Sequence, residues 1–277
     1  MTITAAQLDN FLSTLRDEEK SAATLERYGR DIRCFAQWLG DAPLTHDAVL
    51  NYKAHLTQHY AADSVNSILA ALNRFLSLLD REDCRVRRLR VQYQAYAPEE
   101  REITAQEYAA LVRTARETGR TRLALVLETI CATGIRISEL PAITAEAARQ
   151  GVAVVRCKGK SRRVILPSRL QNKLLRYIKQ RRIACGSVFV TRTGTPLDRS
   201  NIWREMKALC RAAGVSDKKV FPHNFRHLFA RTFYRLDKDL AKLADLLGHS
   251  SINTTRIYIR STGAEHRRFL ERMHLVL

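Results

Sequence analysis

The first 80 residues carry apolar side chains at the three- and four-residue spacing of amphipathic helices. A further helix is predicted near residues 45–60, where Pro43 precedes it and Thr45 can cap it. Three apolar stripes define the other helices: Leu8, Phe11, Leu12 and Leu15; Leu25, Tyr28, Ile32, Phe35 and Leu39; and Val65, Ile68, Leu69, Leu72, Phe75, Leu76 and Leu79. Four helices with short links predict a small bundle over residues 1–83, and we expect the stripes to form its core.

The periodicity then fails, and residues 84–102 read as an irregular, arginine-rich segment. We interpret this segment as a linker between two domains. A run of basic residues usually lies on a solvated surface. Between two domains of a basic protein, contact with a phosphate backbone is an equal alternative, so Arg85, Arg87 and Arg88 are predicted to contact DNA.

The second domain, residues 103–277, opens with a capping box in which Thr104 is the N-cap and Glu107 stands three residues later. The runs VAVVRC and RVIL, joined by KGKSR, predict one antiparallel β-hairpin. Helices are expected near residues 104–118, 121–132, 168–182, 198–213, 222–235, 239–247, 251–260 and 263–274. The predicted fold class is therefore mainly α, with an N-terminal four-helix domain and a mostly helical second domain that contains a small antiparallel β-sheet.

The net charge of +19 lies entirely in the second part of the chain. Residues 1–98 contain 12 basic and 12 acidic residues, so residues 99–277 carry the whole excess. Such an excess predicts a polyanionic partner, with nucleic acid the leading candidate. No apolar stretch approaches the roughly 20 residues that span a bilayer, and the first residues lack the features of a secretory signal. Six separated cysteines without a CxxC pair predict reduced thiols in a cytoplasmic protein.

Four strings in the second domain are rich in groups that bind phosphate. They are ATGIRISEL at residues 132–140, KGKSRR at 158–163, PHNFRH at 222–227 and LLGHSSINTTRIYIR at 246–260. Each string alone is weak evidence, because an arginine after a glycine is usually a surface residue or a structural ion pair. His223 and His227 share one helical face and suggest a metal, but Asn224 stands where the HExxH zinc motif needs its glutamate. We therefore expect no metal.

In this combination and order, the strings resemble those of the tyrosine recombinase, or lambda-integrase-like, family in its compact, Xer-like two-domain form. The resemblance covers the second domain, whereas the first resembles the family's core-binding domain only in size, position and helicity. It implies a site-specific recombinase that cleaves and rejoins DNA strands through a 3′-phosphotyrosine and needs no cofactor. The implied partners are double-stranded DNA sites with inverted binding elements and three further copies of the chain, in a homotetramer on synapsed DNA. The implied location is the nucleoid.

The resemblance also assigns roles to the matching residues. Arg136 and Arg226 match the two arginines that clamp the phosphate, and Glu139 matches the acidic residue that supports the first of them. Lys158 matches the hairpin lysine that protonates the departing 5′-oxygen, although Lys160 stays a second candidate. His223 is the implied general base, His249 a further phosphate donor and Tyr258 the nucleophile.

The residue types suit this chemistry. Attack on a phosphodiester builds negative charge on the non-bridging oxygens, and fixed arginine forks stabilise that charge. Two cations near the hairpin turn, Lys160 and Arg162, are predicted to contact DNA. Type IB topoisomerases use the same catalytic groups and are one rival interpretation. A DNA-binding relative without activity is another, but it would lack Arg136, Arg226 or Tyr258, and all three are present.

Overall fold

The computed structural model describes residues 3–91, 102–157, 160–191, 193–249, 251–258, 267 and 270–273, without the side chains of residues 157 and 160. The chain forms two compact units that divide between residues 93 and 94. Both units are helical, and the second also contains a two-stranded antiparallel sheet. The predicted fold class is confirmed. Within the described ranges, no helix combines the length and the apolar character needed to cross a membrane.

The first unit is the predicted bundle of four helices. Their bounds are α1 Ala5–Asp17, α2 Ala22–Leu39, α3 His46–His59 and α4 Ala62–Leu78. Thr45 caps α3 as expected, since its side chain accepts a hydrogen bond from the Ala48 N–H at 3.2 Å. The predicted stripes meet in one core, where the rings of Phe11 and Phe75 pack edge to face with their centroids 5.3 Å apart. The most deeply buried members of this core include Leu15, Ile32, Phe35, Val49, Val65, Leu69 and Leu76.

The packing of the first unit continues beyond residue 83, where the sequence placed the start of the linker. Cys84 and Val86 are buried in the core of this unit. The Asn73 side chain holds the Val86 backbone from both sides, accepting from its N–H at 3.1 Å and donating to its carbonyl at 2.8 Å. Residues 84–91 therefore belong to the packed unit, and residues 92–101 of the predicted linker lie outside the described residues.

The second unit contains eight α-helices within the described ranges. They are α5 Ala105–Glu117, α6 Thr121–Thr133, α7 Ala145–Gln150, α8 Ser168–Arg181, α9 Arg199–Ala213, α10 Pro222–Asp237, α11 Leu240–Leu247 and α12 Ile252–Tyr258. The predicted capping box at the start of α5 is present, with Thr104 and Glu107 bonded reciprocally. A large core lies beneath α5, α6, α8, α9 and the sheet, and a smaller one joins α10, α11 and α12.

The sheet is a hairpin of β1 (Val152–Cys157) and β2 (Lys160–Ile165), with Val152 paired to Ile165 and Cys157 paired to Lys160. Strand β2 begins three residues earlier than predicted. Lys160 and Arg162 therefore lie in a strand and not in the turn, so the connection consists of residues 158 and 159 alone, which lie outside the described residues.

Two short elements escaped the sequence analysis. Helix α7 has six residues, and the 3-10 helix Ile137–Ala142 contains Pro141, so neither shows a helical period long enough to read. The last predicted helix, residues 263–274, falls mostly on residues outside the described ranges.

Candidate active site

The end of helix α6 positions Arg136. Gly134 ends this helix at φ +64°, the left-handed conformation that glycine adopts most readily. A β-carbon at this position would lie 2.4 Å from the ring of Phe229, so space as well as conformation requires glycine. The chain then enters the 3-10 helix, with Arg136 as its N-cap and Glu139 in its first turn.

Glu139 is a buried carboxylate that two arginines share, with a side chain only 1% exposed. It accepts hydrogen bonds from the Arg136 N–H at 2.8 Å and from Arg136 Nη1 at 3.1 Å. Arg162, predicted to contact DNA, directs its fork at Glu139 instead, with distances of 2.7 and 2.9 Å. Burial alone would raise the pKa of Glu139, but the hydrogen bonds and charges of Arg162 and Arg136 outweigh it and lower this pKa. Glu139 is therefore ionised.

The carboxyl end of α11 gathers three arginines. Its last carbonyl groups have no partner within the helix and carry the negative end of the helix dipole. Gly248 ends the helix at φ +65°. The contacts are those of Arg162 Nε with the Leu246 oxygen at 3.1 Å, Arg226 Nη2 with the Leu247 oxygen at 2.7 Å, Arg136 Nη1 with the Leu247 oxygen at 3.4 Å and Arg136 Nη2 with the Gly248 oxygen at 3.5 Å. All four strings singled out in the sequence meet at this helix end.

Arg226 is fully buried, with 1% of its surface exposed. Besides Leu247, it donates to the Gly134 carbonyl at 2.5 Å and to Nε2 of His249 at 2.8 Å. Its buried Nε has no hydrogen-bond partner within the described part of the chain. Burial and the nearby charge of Arg136 lower the pKa of Arg226 to about 10, so the group remains protonated at neutral pH. The site thus holds a fixed cation at its centre.

The Tyr258 hydroxyl faces a histidine. Tyr258 ends α12, is 6% exposed, and its hydroxyl lies 3.0 Å from Nε2 of His223. The Arg226 guanidinium lies 5.7 Å from the centroid of the tyrosine ring. Partial burial, followed by the charges of Arg226 and Arg136, lowers the pKa of His223. A neutral His223 can accept the phenolic proton, whereas a protonated one could not.

His249 has a defined tautomer. An arginine can only donate, so Nε2 of His249 accepts from Arg226 and the ring proton resides on Nδ1. Nδ1 then donates to the buried Thr255 hydroxyl at 2.8 Å. Burial and the charge of Arg226 lower the pKa of His249 to about 4, which keeps the ring neutral. In this arrangement His249 orients Arg226. The sequence predicts that His249 donates to the phosphate, and for that role His249 would have to give up its hydrogen bond with Arg226.

His227 supports the tyrosine ring, a contact that the sequence did not predict. The two rings stack with their centroids 4.3 Å apart and their planes 28° from parallel. Nδ1 of His227 lies 3.9 Å from the Glu102 carboxylate, which also pairs with Arg231. Burial lowers the pKa of His227 to about 3. The helical face shared by His223 and His227 was the available signal, and it indicated a common site without revealing that Tyr258 completes it.

The other predicted residues belong to the first unit or lie wholly or partly outside the described residues. Lys158 lies outside the described residues, and only the backbone of Lys160 is described. Arg85, Arg87 and Arg88 belong to the first unit and have exposed side chains. Their contact with DNA stays a prediction.

The site thus places one tyrosine hydroxyl among fixed arginines and histidines. The model of the phage integrase family matches residues 101–265, and that of the phage integrase N-terminal SAM-like domain matches residues 8–83. Tyrosine recombinase XerD of Halalkalibacterium halodurans is 29% identical over 91% of each chain. Tyrosine recombinase XerC of Roseiflexus castenholzii is 31% identical over 91% of this chain and 88% of the relative. The chain belongs to the phage integrase family, and by class it is a site-specific DNA recombinase.

Solved structures of this family share the fold. A lambda integrase(75-356) dimer bound to a COC′ core site has a TM-score of 0.77 and 20% identity, with 95% of this chain and 97% of that chain covered. XerH recombinase bound to its difH substrate in a pre-cleavage complex has a TM-score of 0.70 and 18% identity, with 97% and 84% covered.

Proposed function

We propose that the chain cleaves and rejoins DNA strands at specific sites, with Tyr258 as the nucleophile. One observation carries this assignment: the Tyr258 hydroxyl lies 3.0 Å from a histidine nitrogen that can take its proton, beside the buried Arg226. Because a buried tyrosine hydroxyl usually finds some hydrogen-bond partner, the assignment depends on the kind of partner, which here is a histidine with a lowered pKa beside a buried arginine.

The reaction is a transesterification that conserves the phosphodiester. The Tyr258 oxygen attacks phosphorus, its proton passes to Nε2 of His223, and the bond from phosphorus to the 5′-oxygen breaks. The departing oxygen takes a proton from Lys158, or from Lys160 if that residue reaches the turn, and leaves as a 5′-hydroxyl. Attack by a 5′-hydroxyl on the 3′-phosphotyrosine reverses these steps, so rejoining needs no nucleotide.

Arg136 and Arg226 provide the positive charge for the transition state. Arg226 is fixed by two backbone carbonyls and by His249, so little reorganisation accompanies the reaction. The Arg136 side chain is 30% exposed and its geometry is set by Glu139, which leaves it accessible to a phosphate. Removing one fixed donor of this kind typically lowers a rate by about 10²–10³-fold.

The partner in this proposal is double-stranded DNA with inverted binding elements, and the active assembly is a homotetramer on two synapsed sites. The +19 charge confined to residues 99–277 supports a DNA partner. Among the structural neighbours, one lambda integrase is a tetramer bound to a Holliday junction. A cytoplasmic, nucleoid-associated protein fits this role. Affinity should fall steeply with salt, and replacing the exposed Arg87 with glutamine should weaken binding and make the logarithmic salt slope about one unit shallower.

A nicked suicide substrate tests the assignment of Tyr258. The cleaved strand is labelled at its 5′ end, and the reaction contains EDTA and no nucleotide. Wild-type protein should convert the label into a species of low mobility on denaturing gels. Tyr258→Phe should bind the same DNA and form none of this species, because the ring remains while the attacking oxygen is lost.

Tyr234→Phe is the matched control, since Tyr234 packs in the same small core and takes no part in the proposed chemistry. Covalent complex at normal yield from Tyr258→Phe would contradict the proposal. Comparing substrates with one and two sites separates recombination from strand passage, because a topoisomerase needs no partner site.

A further inference from the structure

Arg162 occupies the inner face of the hairpin. It pairs with Val155 across the strands, and both Val155 and the next inward residue of β2, Val164, are buried. Its side chain is 14% exposed. A β-carbon on Gly248 would lie 2.9 Å from Arg162 Cδ, so the side chain runs closely along the end of α11.

All three guanidinium nitrogens of Arg162 are engaged by the protein. Nη1 and Nη2 form a bidentate pair with Glu139, and Nε donates to the Leu246 carbonyl. A bidentate arginine–carboxylate pair fixes both groups in orientation as well as in distance. Three of its five N–H groups are thus bonded within the protein, which favours a positioning role, and its charge still contributes to the field of the site.

We infer that Arg162 is a positioning residue for the reaction: it links the hairpin, Glu139 and the end of α11 into one bracket that holds Arg136 against the scissile phosphate. The inference rests on the proposed function. Glu139 binds Arg136 through one nitrogen of its fork and through the backbone, whereas Arg162 holds both carboxylate oxygens. Without Arg162, the carboxylate would lose its second cation and the two bonds that fix its orientation, so it would hold Arg136 less firmly.

The bracket also joins the first residues of β2 to the rest of the site. Arg162 is the third residue of β2, which begins at Lys160. Its bonds to Glu139 and Leu246 attach this end of the hairpin to the 3-10 helix and to α11. Misplacement of a reacting group by about 1 Å can cost on the order of 10²-fold in rate. We therefore expect a loss of about 10²-fold in cleavage when Arg162 is replaced with methionine.

The decisive comparison is between Arg162→Met and Arg163→Met. Arg163 is the neighbouring strand residue on the exposed face, so it controls for loss of one charge on the hairpin. Single-turnover cleavage of the suicide substrate and equilibrium DNA binding at several salt concentrations are measured for both. We expect Arg162→Met to lose about 10²-fold in cleavage with an unchanged salt slope, and Arg163→Met to cleave within threefold of wild type.

The pH profile separates positioning from a general loss of structure. The groups that face Glu139 are Arg136, Arg162 and, at longer range, Arg226. In the variant, burial still raises the pKa of Glu139 and Arg136 still lowers it, but the lowering by Arg162 is lost. This pKa should therefore rise, and Glu139 should lose its charge at a higher pH than in the wild-type protein. The deficit of Arg162→Met should therefore shrink as pH rises, and Glu139→Gln should remove this dependence. The double variant should be no slower than the slower single variant.

Wild-type cleavage by Arg162→Met would overturn the inference, as would a deficit explained by weaker binding with a shallower salt slope, the signature of a phosphate contact. If Arg162→Met does not fold, Arg162→Lys decides: a lysine keeps the charge without the fork, and full cleavage by that variant would also overturn it. If wild-type protein forms no covalent complex, the proposed function fails and the role of Arg162 falls with it. If the wild-type protein cleaves and Arg162→Met cleaves equally well, the inference about Arg162 fails while the proposed function stands.

Discussion

Replacing Arg226 with lysine tests the idea that the centre of the site is a fixed guanidinium fork and not merely a buried charge. Two terminal nitrogens of Arg226 serve three acceptors, the Gly134 and Leu247 carbonyls and His249. A lysine side chain is shorter and ends in a single nitrogen, so we expect it to retain only one of these hydrogen bonds. Two buried acceptors then lose their partner, at about 1–3 kcal/mol each before relaxation.

We expect a net destabilisation of about 2–4 kcal/mol, which for a unit of this size lowers the melting temperature by roughly 5–15 °C. Cleavage measured well below that temperature should still fall by about 10²–10³-fold, because the fork is no longer fixed. Circular dichroism melts and single-turnover cleavage give the two quantities, with Arg211→Lys on the exposed face of α9 as control. A variant that melts with wild type, or that cleaves at the wild-type rate, would refute this reasoning.

Two further predictions follow from the geometry. Burial and the neighbouring arginines lower the pKa of His223 below its ordinary value of 6.5, so the cleavage rate should persist as pH falls through 6.5 and decline only at lower pH. His223→Gln should lower the cleavage rate by about 10²–10⁴-fold and abolish this decline at low pH. A decline that the variant leaves unchanged would exclude His223 as the base. Gly134→Ala should destabilise the second unit by roughly 2–5 kcal/mol from left-handed strain and overlap with Phe229, whereas Gly214→Ala, also at positive φ but in open space, should cost about 1–2 kcal/mol; equal melting temperatures would contradict the packing argument.

Local sequence signals predicted most of the elements, whereas the candidate site residues came from the resemblance to a family. The helical stripes and the caps at Thr45 and Thr104 depend only on near neighbours, and the structure contains them where the pattern placed them. Contacts over long separations did not follow in the same way. The Tyr258 hydroxyl meets His223 across 35 residues, and this meeting depends on how α10 and α12 pack.

Arg162 shows how an error in one predicted strand boundary changes the role that is assigned to a residue. With KGKSR interpreted as the turn, Arg162 was expected on an exposed loop. A connection of residues 158 and 159 extends β2 and puts Arg162 on the same face as Val164, since side chains alternate along a strand. Counting back two residues from the buried Val164 would have revealed the inward position. The match of Arg162 to Glu139 depends on tertiary packing and could not have been read from the sequence.

The central claim is that Tyr258 becomes covalently attached to the 3′ end of the cleaved strand. The most direct test is to trap the covalent complex on a suicide substrate, digest the DNA and the protein, and locate the nucleotide adduct by mass spectrometry. We predict a single modified tryptic peptide, residues 257–260, with the phosphate on Tyr258 and a free 5′-hydroxyl on the released DNA. An adduct on another residue, or a phosphate retained on the 5′ end, would contradict the account.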